Sequence, residues 1–186
     1  MIMKLLSIKQ ARSIWLIYLL ELNPRGRNPL PLISAMIAKY NFLQSPGKPE
    51  EFDLSKGVKF GNGSFQKGVE HEIVIDLTFF NDGIIADTRS STKDSDAFLD
   101  EFLNWISGEF WFVPYREIIR KKLYLSELFI QTDRTLNTLN PKLERFVKHL
   151  NSVIVGHENH PIGFEATGIM FGTDPRIINS PGPFKF

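Results

Sequence analysis

Two kinds of hydrophobic periodicity alternate along the chain and predict a mixture of strands and helices. Apolar and polar side chains alternate over residues 71–80, as in a strand with one buried face. Over residues 97–106 the apolar positions recur every three or four residues, which predicts a helix that ends at Gly108. The N-D-G sequence at 81–83 precedes another apolar run at 84–88, so we predict a β-hairpin whose glycine supplies the positive φ of a tight turn.

The other apolar runs complete the predicted order of elements. Residues 14–20 are apolar on both alternating faces and fit a buried strand or a buried helix, a choice that periodicity leaves open. Helical spacing recurs after Pro31 and again after Pro141. The side chains expected to face inward from the last of these helices are Leu143, Phe146, Val147 and Leu150. Further strands are predicted at 58–60, 122–132 and 164–172.

The resulting order, β-α-β-β-β-α-β-α-β, predicts an α+β fold. Because a hairpin joins some strands and helices separate others, we expect a mostly antiparallel or mixed sheet with about three helices packed on one face. No internal repeat and no clear boundary divides the chain, so we predict a single domain over residues 1–175. Residues 176–186 contain two prolines and are expected to form an irregular C-terminal tail.

Composition limits the possible functions. A chain of 186 residues buries about 70% of its unfolded surface, so it needs no disulfide or metal in order to fold. The absence of cysteine excludes disulfide scaffolds, thiolate zinc sites and cysteine nucleophiles, and it is compatible with a reducing compartment. The net charge is only +1, from 22 basic and 21 acidic residues, and does not favour a nucleic-acid partner.

The N-terminal apolar run loosely imitates a targeting signal. Basic residues precede residues 14–20, but the run is short, contains Trp15 and Tyr18, and ends at Glu21 without a cleavage pattern. It also falls short of the roughly 20 apolar residues that span a bilayer. We therefore expect a core element, no membrane partner and a cytoplasmic location.

Residues 85–96, I-A-D-T-R-S-S-T-K-D-S-D, combine acids, hydroxyls and an arginine between a predicted strand and a predicted helix. Ser91 and Asp94 have a spacing related to a capping box, and Thr92 or Asp94 is the alternative cap. Asp94 and Asp96 also lie where a helix dipole favours negative charge. The start of a helix thus accounts for most of this polar cluster without any ligand.

Asp87 and Arg89 are not explained by helix capping, and they could pair with each other or bind a partner. The enzymatic alternative is a divalent-metal site for phosphoester hydrolysis, with Asp76, Asp87 and Asp94 as carboxylates and Arg89 as the charge clamp. Asp82 also flanks the hairpin but does not need to converge with the others. We prefer the structural interpretation of this turn.

Other candidate cofactor sites are weak. His157, Glu158 and His160 resemble a metal-binding sequence, but glycine and proline enclose them and their spacing departs from the zinc-protease pattern. The glycine-rich stretch 57–68 lacks both the dinucleotide fingerprint and the P-loop lysine, and it predicts a hairpin or a bulge. We expect no cofactor.

A basic segment offers a nucleic-acid alternative. It consists of Arg116, Arg120, Lys121 and Lys122, interleaved with aromatic and aliphatic residues. A basic cluster with aromatic side chains can follow a nucleic-acid backbone. A solvated surface explains the same residues, and we prefer that interpretation.

Aromatic residues suggest a protein-contact function. The chain has 16 Phe, 4 Tyr and 3 Trp, and residues 110–115 form an aromatic connection. Alternate residues of an extended segment point in opposite directions, so part of this connection should face a second surface. The predicted interface residues are Phe110, Trp111, Phe112 and Tyr115. We therefore expect a non-catalytic assembly or protein-binding module whose partner is another copy of itself, in a homo-oligomer.

Overall fold

The computed structural model describes residues 3–68 and 71–155. The chain divides into two compact units, a larger one over Leu5–Ile130 and a smaller one that combines Met1–Lys4 with Gln131–Phe186. The predicted strand at 164–172 and the predicted tail at 176–186 lie outside the described residues. The assignment of one domain to residues 1–175 stays a prediction.

Among the described residues, five strands form one antiparallel sheet with the order β2-β3-β4-β1-β5. The strands are β1 (Met3–Leu16), β2 (Val58–Lys67), β3 (His71–Phe80), β4 (Gly83–Thr88) and β5 (Lys121–Thr132). Strands β2, β3 and β4 follow one another as a meander, whereas β1 and β5 join from distant parts of the chain. The predicted α+β class with an antiparallel sheet is confirmed.

Three helices of substantial length occur between or after the strands: α2 (Leu30–Tyr40), α3 (Thr92–Phe110) and α5 (Pro141–Val155). The short helices α1 (Leu19–Leu22) and α4 (Tyr115–Ile118) and two 3-10 turns complete the described elements. Helices α2 and α3 pack on one face of the sheet, where their buried residues share a core with strand residues such as Ile75. The order of elements agrees with the prediction as far as the described residues extend.

Aromatic rings fill the core between α3 and the sheet. Phe102 is fully buried, and its ring centroid lies 5.8–6.2 Å from the rings of Tyr40, Phe79, Phe98 and Trp105. Large rings bury much apolar area, and edge-to-face or offset contacts add to this stabilisation. The aromatic surplus of the sequence is therefore largely explained by the core.

The helix predicted over residues 97–106 is longer than expected. Gly108 does not end α3; the helix continues to Phe110, and Trp111 adopts the left-handed conformation with φ of 62°. A glycine inside a helix costs only about 1 kcal/mol, and contact of the Phe110 and Trp105 rings at 5.2 Å continues the apolar stripe past it. The prediction for the end of this helix was wrong for that reason.

The glycine-rich stretch forms a bulge within β2. The pairing of β2 with β3 shifts between Phe60 and Gly63, and Asn62 has a positive φ of 53°. The Asp76 carboxylate accepts a hydrogen bond from the Asn62 backbone N–H at 2.7 Å and fixes this irregularity. The structure has both of the predicted features, because β2 contains the bulge and also pairs antiparallel with β3, the next strand in sequence.

The predicted hairpin joins β3 and β4 through residues 81–82, but its glycine has another purpose. Gly83 has no positive φ; a Cβ there would lie 3.1 Å from the backbone oxygen of Trp15, so the close approach of β1 favours glycine. The carbonyls of Asn81 and Asp82 accept hydrogen bonds at 3.1 Å from the chain that follows β1. The apolar run at 14–20 is accordingly part strand and part helix.

In the smaller unit, helix α5 begins as predicted. The Asn140 side chain accepts a hydrogen bond from the Lys142 backbone N–H at 2.9 Å, as an N-terminal cap does. Val147 is buried, and Leu143 and Leu150 are partly buried. Phe146, which we expected to face inward, is 57% exposed, so this part of the predicted buried side was wrong.

Candidate functional site

The sheet face opposite α2 and α3 is open and polar. On this face Arg12 of β1 pairs with Asp87 of β4, and Asp87 pairs in turn with Asp76 of β3. The three side chains therefore form a row across neighbouring strands. Two concave regions of about 660 and 720 Å³ border this row, and Arg89 lines the second of them.

Asp87 is held by two residues of β1. Its oxygens accept hydrogen bonds from Arg12 Nε at 2.7 Å and Arg12 Nη2 at 2.8 Å, and Oδ1 also accepts one from Gln10 Nε2 at 3.0 Å. The hydrogen bond to Asp87 raises the pKa of Arg12. This bidentate pair satisfies Asp87 and neutralises one of the two carboxylates that face each other across β3 and β4.

The polar cluster before α3 acts mainly as a helix cap. Ser91 is the N-cap, and its Oγ accepts a hydrogen bond from the Asp94 backbone N–H at 3.2 Å, as predicted. Asp94 in turn accepts hydrogen bonds from Ser90 Oγ and Ser91 Oγ at 2.7 Å and from Lys67 Nζ at 2.6 Å. Asp94 therefore ties the start of α3 to the end of β2.

The aspartates of the enzymatic alternative have separate structural partners. Asp76 binds the β2 bulge, Asp87 binds Arg12, and Asp94 binds Ser90, Ser91 and Lys67 at the start of α3. Arg89 is exposed and does not pair with Asp87, and Asp82 lies at the tip of the hairpin. Over residues 3–68 and 71–155, no three His, Asp or Glu side chains are placed to hold a metal ion. The candidate metal ligands His157, Glu158 and His160 lie outside the described residues.

We expect acid to destabilise the protein partly through Asp94. Burial raises the pKa of this carboxyl, but the hydrogen bonds from Lys67, Ser90 and Ser91 outweigh burial and leave the pKa below its ordinary value of 3.8. A carboxyl whose pKa is lowered by folding stabilises the protein above its unfolded pKa, and this contribution is lost as the pH falls through the folded value.

The measurement is urea denaturation between about pH 5 and about pH 2. The Asp94→Asn variant should start with a lower free energy of unfolding and lose less of it on acidification than the wild type. Asp82→Asn, at the exposed hairpin tip, is the control and should follow the wild type. If the wild type and Asp94→Asn lost the same free energy of unfolding on acidification, Asp94 would not contribute to the acid sensitivity.

Most of the predicted nucleic-acid residues are engaged within the chain. Arg120 Nη2 lies 2.7 Å from Glu21 Oε1, and Lys122 Nζ lies 3.5 Å above the Trp15 ring and 3.4 Å from an Asp96 oxygen. The remaining members of this group are Arg116, which contacts Tyr115 and Asp100, and the exposed Lys121. Charges that are paired in this way contribute less to binding a phosphate backbone.

The predicted aromatic interface is divided between the core and the surface. Tyr115 is buried, with its ring 5.0 Å from Trp15, while Phe110 and Phe112 are partly buried. Only Trp111 is largely exposed, at 72%, with the Arg27 guanidinium 5.7 Å from its ring. These four residues therefore do not form one continuous apolar surface.

A larger apolar surface lies on β5, which sequence reasoning assigned to a strand but not to an interface. Its large apolar side chains are 36–54% exposed, and β1 adds two more that are 52% and 57% exposed. We call this set the edge surface: Leu5, Leu6, Leu123, Tyr124, Leu125, Leu128, Phe129 and Ile130. Because successive strand residues point to opposite faces, the edge surface has apolar groups on both faces of the sheet. The sequence signal for this surface is the run L-Y-L-S-E-L-F-I at 123–130, which is apolar on both alternating faces. Such a pattern is typical of a central strand whose two faces are both covered.

Strand β5 is also an edge of the sheet. Among the strands that the structure describes, β1 is its one neighbour, and no second described strand pairs with its other side. No helix in the described ranges is both long and apolar enough to cross a bilayer. No protein-family model, curated protein or solved structure shows significant similarity to the chain.

Proposed function

We propose that this protein is a non-catalytic assembly module that associates with itself through the edge surface. The observation that carries the proposal is the exposure of apolar side chains on both faces of β5, which has β1 as its one neighbour among the described strands. An unpaired strand edge attracts another strand, and natural proteins usually protect such edges with charge, proline or a covering element. β5 has charged side chains only at Lys121, Lys122 and Glu127.

The distribution of the edge surface supports pairing with another strand. Its eight large side chains are each 36–57% exposed and are divided between the two faces of the sheet at one edge. A strand of a second copy that pairs with this edge would contact apolar side chains on both faces at once.

A second copy of the chain is the partner that the charges favour. The net charge is +1, so two copies do not repel each other through a large charge of the same sign. Two of the charged groups on β5 are already paired: Glu127 Oε1 lies 2.7 Å from Lys9 Nζ, and Lys122 Nζ lies 3.4 Å from an Asp96 oxygen. An apolar surface without a strong field fits an apolar partner, and we place this assembly in the cytoplasm.

Sedimentation velocity over about 1–100 µM protein tests the proposal, since it covers dissociation constants around 1 µM. The wild type should form a dimer, and Phe129→Lys should raise the dissociation constant at least about 100-fold because it places a charge at the strand edge. Leu43→Lys is the matched control, since Leu43 is a strongly exposed apolar residue outside the edge surface. A monomeric wild type over this range would overturn the proposal.

A further inference from the structure

We propose that two copies join their β5 strands antiparallel across a two-fold axis, with Ser126 opposite Ser126 of the second copy. This inference rests on the proposed self-association and specifies how it occurs. The two five-stranded sheets then form one continuous sheet, in which each β5 changes from an edge strand to a central strand.

Symmetry restricts the possible registers. Directly opposed residues of antiparallel strands point to the same face, so a two-fold axis between identical strands places one residue opposite its own copy. Each register is therefore defined by the residue on the axis. The registers that use most of Lys121–Thr132 have their axis near the middle of this strand.

Side-chain pairing distinguishes these registers. With Ser126 on the axis, Leu123 lies opposite Phe129 on one face, and Tyr124 lies opposite Leu128 on the other. These apolar pairs occur twice in the dimer and cover both faces, which explains why β5 is apolar on both. Ser126 is the smallest side chain of β5, and two serines on the axis can form a hydrogen bond.

The neighbouring registers pair the side chains less well. Glu127 on the axis would pair Leu125 with Phe129 and Tyr124 with Ile130. It would also oppose two like carboxylates directly, which is destabilising even though each copy's own Lys9 binds one of them. Tyr124 on the axis would place Phe129 and Ile130 beyond the end of the opposite β5. Leu125 on the axis would set Leu123 against Glu127 and Lys122 against Leu128, and it would form neither of the apolar pairs described above.

Two pairs in the Ser126 register place a charged side chain opposite an apolar one. Each of these charges already has a partner within its own chain. Leu125 lies opposite Glu127, whose carboxylate is bound by Lys9 at 2.7 Å. Ile130 lies opposite Lys122, whose ammonium is directed onto the Trp15 ring at 3.5 Å. Neither charge is directed toward the second copy.

Single cysteines test the register because the wild-type chain contains none. Opposed residues have Cα atoms about 4.5–5.5 Å apart, within the roughly 4.4–6.8 Å that a disulfide spans. Under mild oxidation Ser126→Cys should form a covalent dimer in high yield at concentrations where the wild type is dimeric. Mixed Leu123→Cys and Phe129→Cys chains should cross-link to each other, as mass spectrometry would show.

Tyr124→Cys and Asn104→Cys are the controls, and both should cross-link at least about 10-fold more slowly, because their Cα separations exceed the roughly 7 Å limit for a disulfide. Asn104 is an exposed residue of α3 and is not part of β5. Efficient cross-linking of Tyr124→Cys in place of Ser126→Cys would overturn the register while self-association stands. A wild-type dimer in which no β5 cysteine cross-links would overturn antiparallel β5 pairing, whereas a monomeric wild type would overturn self-association itself.

Discussion

Phe102→Ala should lower the free energy of unfolding by about 3–5 kcal/mol, the loss typical of a large aromatic side chain removed from a core. Phe102 is fully buried on α3, and its ring contacts rings from α2, β3 and α3 itself. The substitution removes the apolar burial of the ring and leaves a cavity, because these neighbours belong to different elements and cannot all move inward. Urea denaturation followed by far-UV circular dichroism measures the effect.

Trp111→Ala is the matched control for Phe102→Ala. Trp111 also belongs to the end of α3, but it is 72% exposed and contacts Arg27 rather than the core. Its removal should change the free energy of unfolding by less than about 1 kcal/mol. A comparable loss for the two variants would show that the core is not organised around Phe102.

Arg12→Ala should cost about 1.5–3 kcal/mol, as expected for the loss of hydrogen bonds to a partly buried charged group. The Arg12 side chain is 32% exposed and that of Asp87 only 17%. Without Arg12, the Asp87 carboxylate keeps the hydrogen bond from Gln10 but faces Asp76 across the strand pair without a positive charge. Two like charges in directly opposed positions destabilise a sheet.

A double-mutant cycle separates this effect from a general loss of packing. In the Arg12→Ala background, Asp87→Asn removes the uncompensated charge and should recover part of the lost stability, whereas the same change in the wild type should be destabilising. Lys93→Ala, at an exposed position of α3 outside both concave regions, is the surface control and should be nearly neutral. Additive effects of Arg12→Ala and Asp87→Asn would contradict the coupling between the two side chains.

Local sequence patterns predicted the elements where a short-range signal determines the structure. The alternation at 71–80 gave β3 with its observed ends, and the serine before the apolar stripe marked the start of α3 at Ser91. The helix α3 continues past Gly108 because the rings of Trp105 and Phe110 contact each other. The low helix propensity of Gly108, on which the prediction was based, takes no account of this contact. Gly83 was recognised as a hairpin residue, but the reason for its glycine lies on β1, far away in sequence.

The candidate site was harder to predict because the residues that contact each other there lie far apart in the sequence. Asp87 looked free of a structural role because Arg12, its partner, lies 75 residues earlier in the chain. The aromatic connection looked like an interface, but the contact of Tyr115 with Trp15 places that ring in the core. The exposed position of β5 depends on the order of strands in the sheet, and an apolar pattern does not distinguish an edge strand from a central one.

The strand order also determines when each strand can pair during synthesis on the ribosome. The strand β1 is synthesised first, yet its sheet neighbours β4 and β5 follow only at residues 83–88 and 121–132. At about 5–20 residues per second, β1 waits roughly 3–15 seconds on the ribosome before β4 exists. During that time Ile14, Trp15 and Leu16 of β1 have no native partner strand, so we expect the apolar segment 14–20 to bind chaperones on the nascent chain.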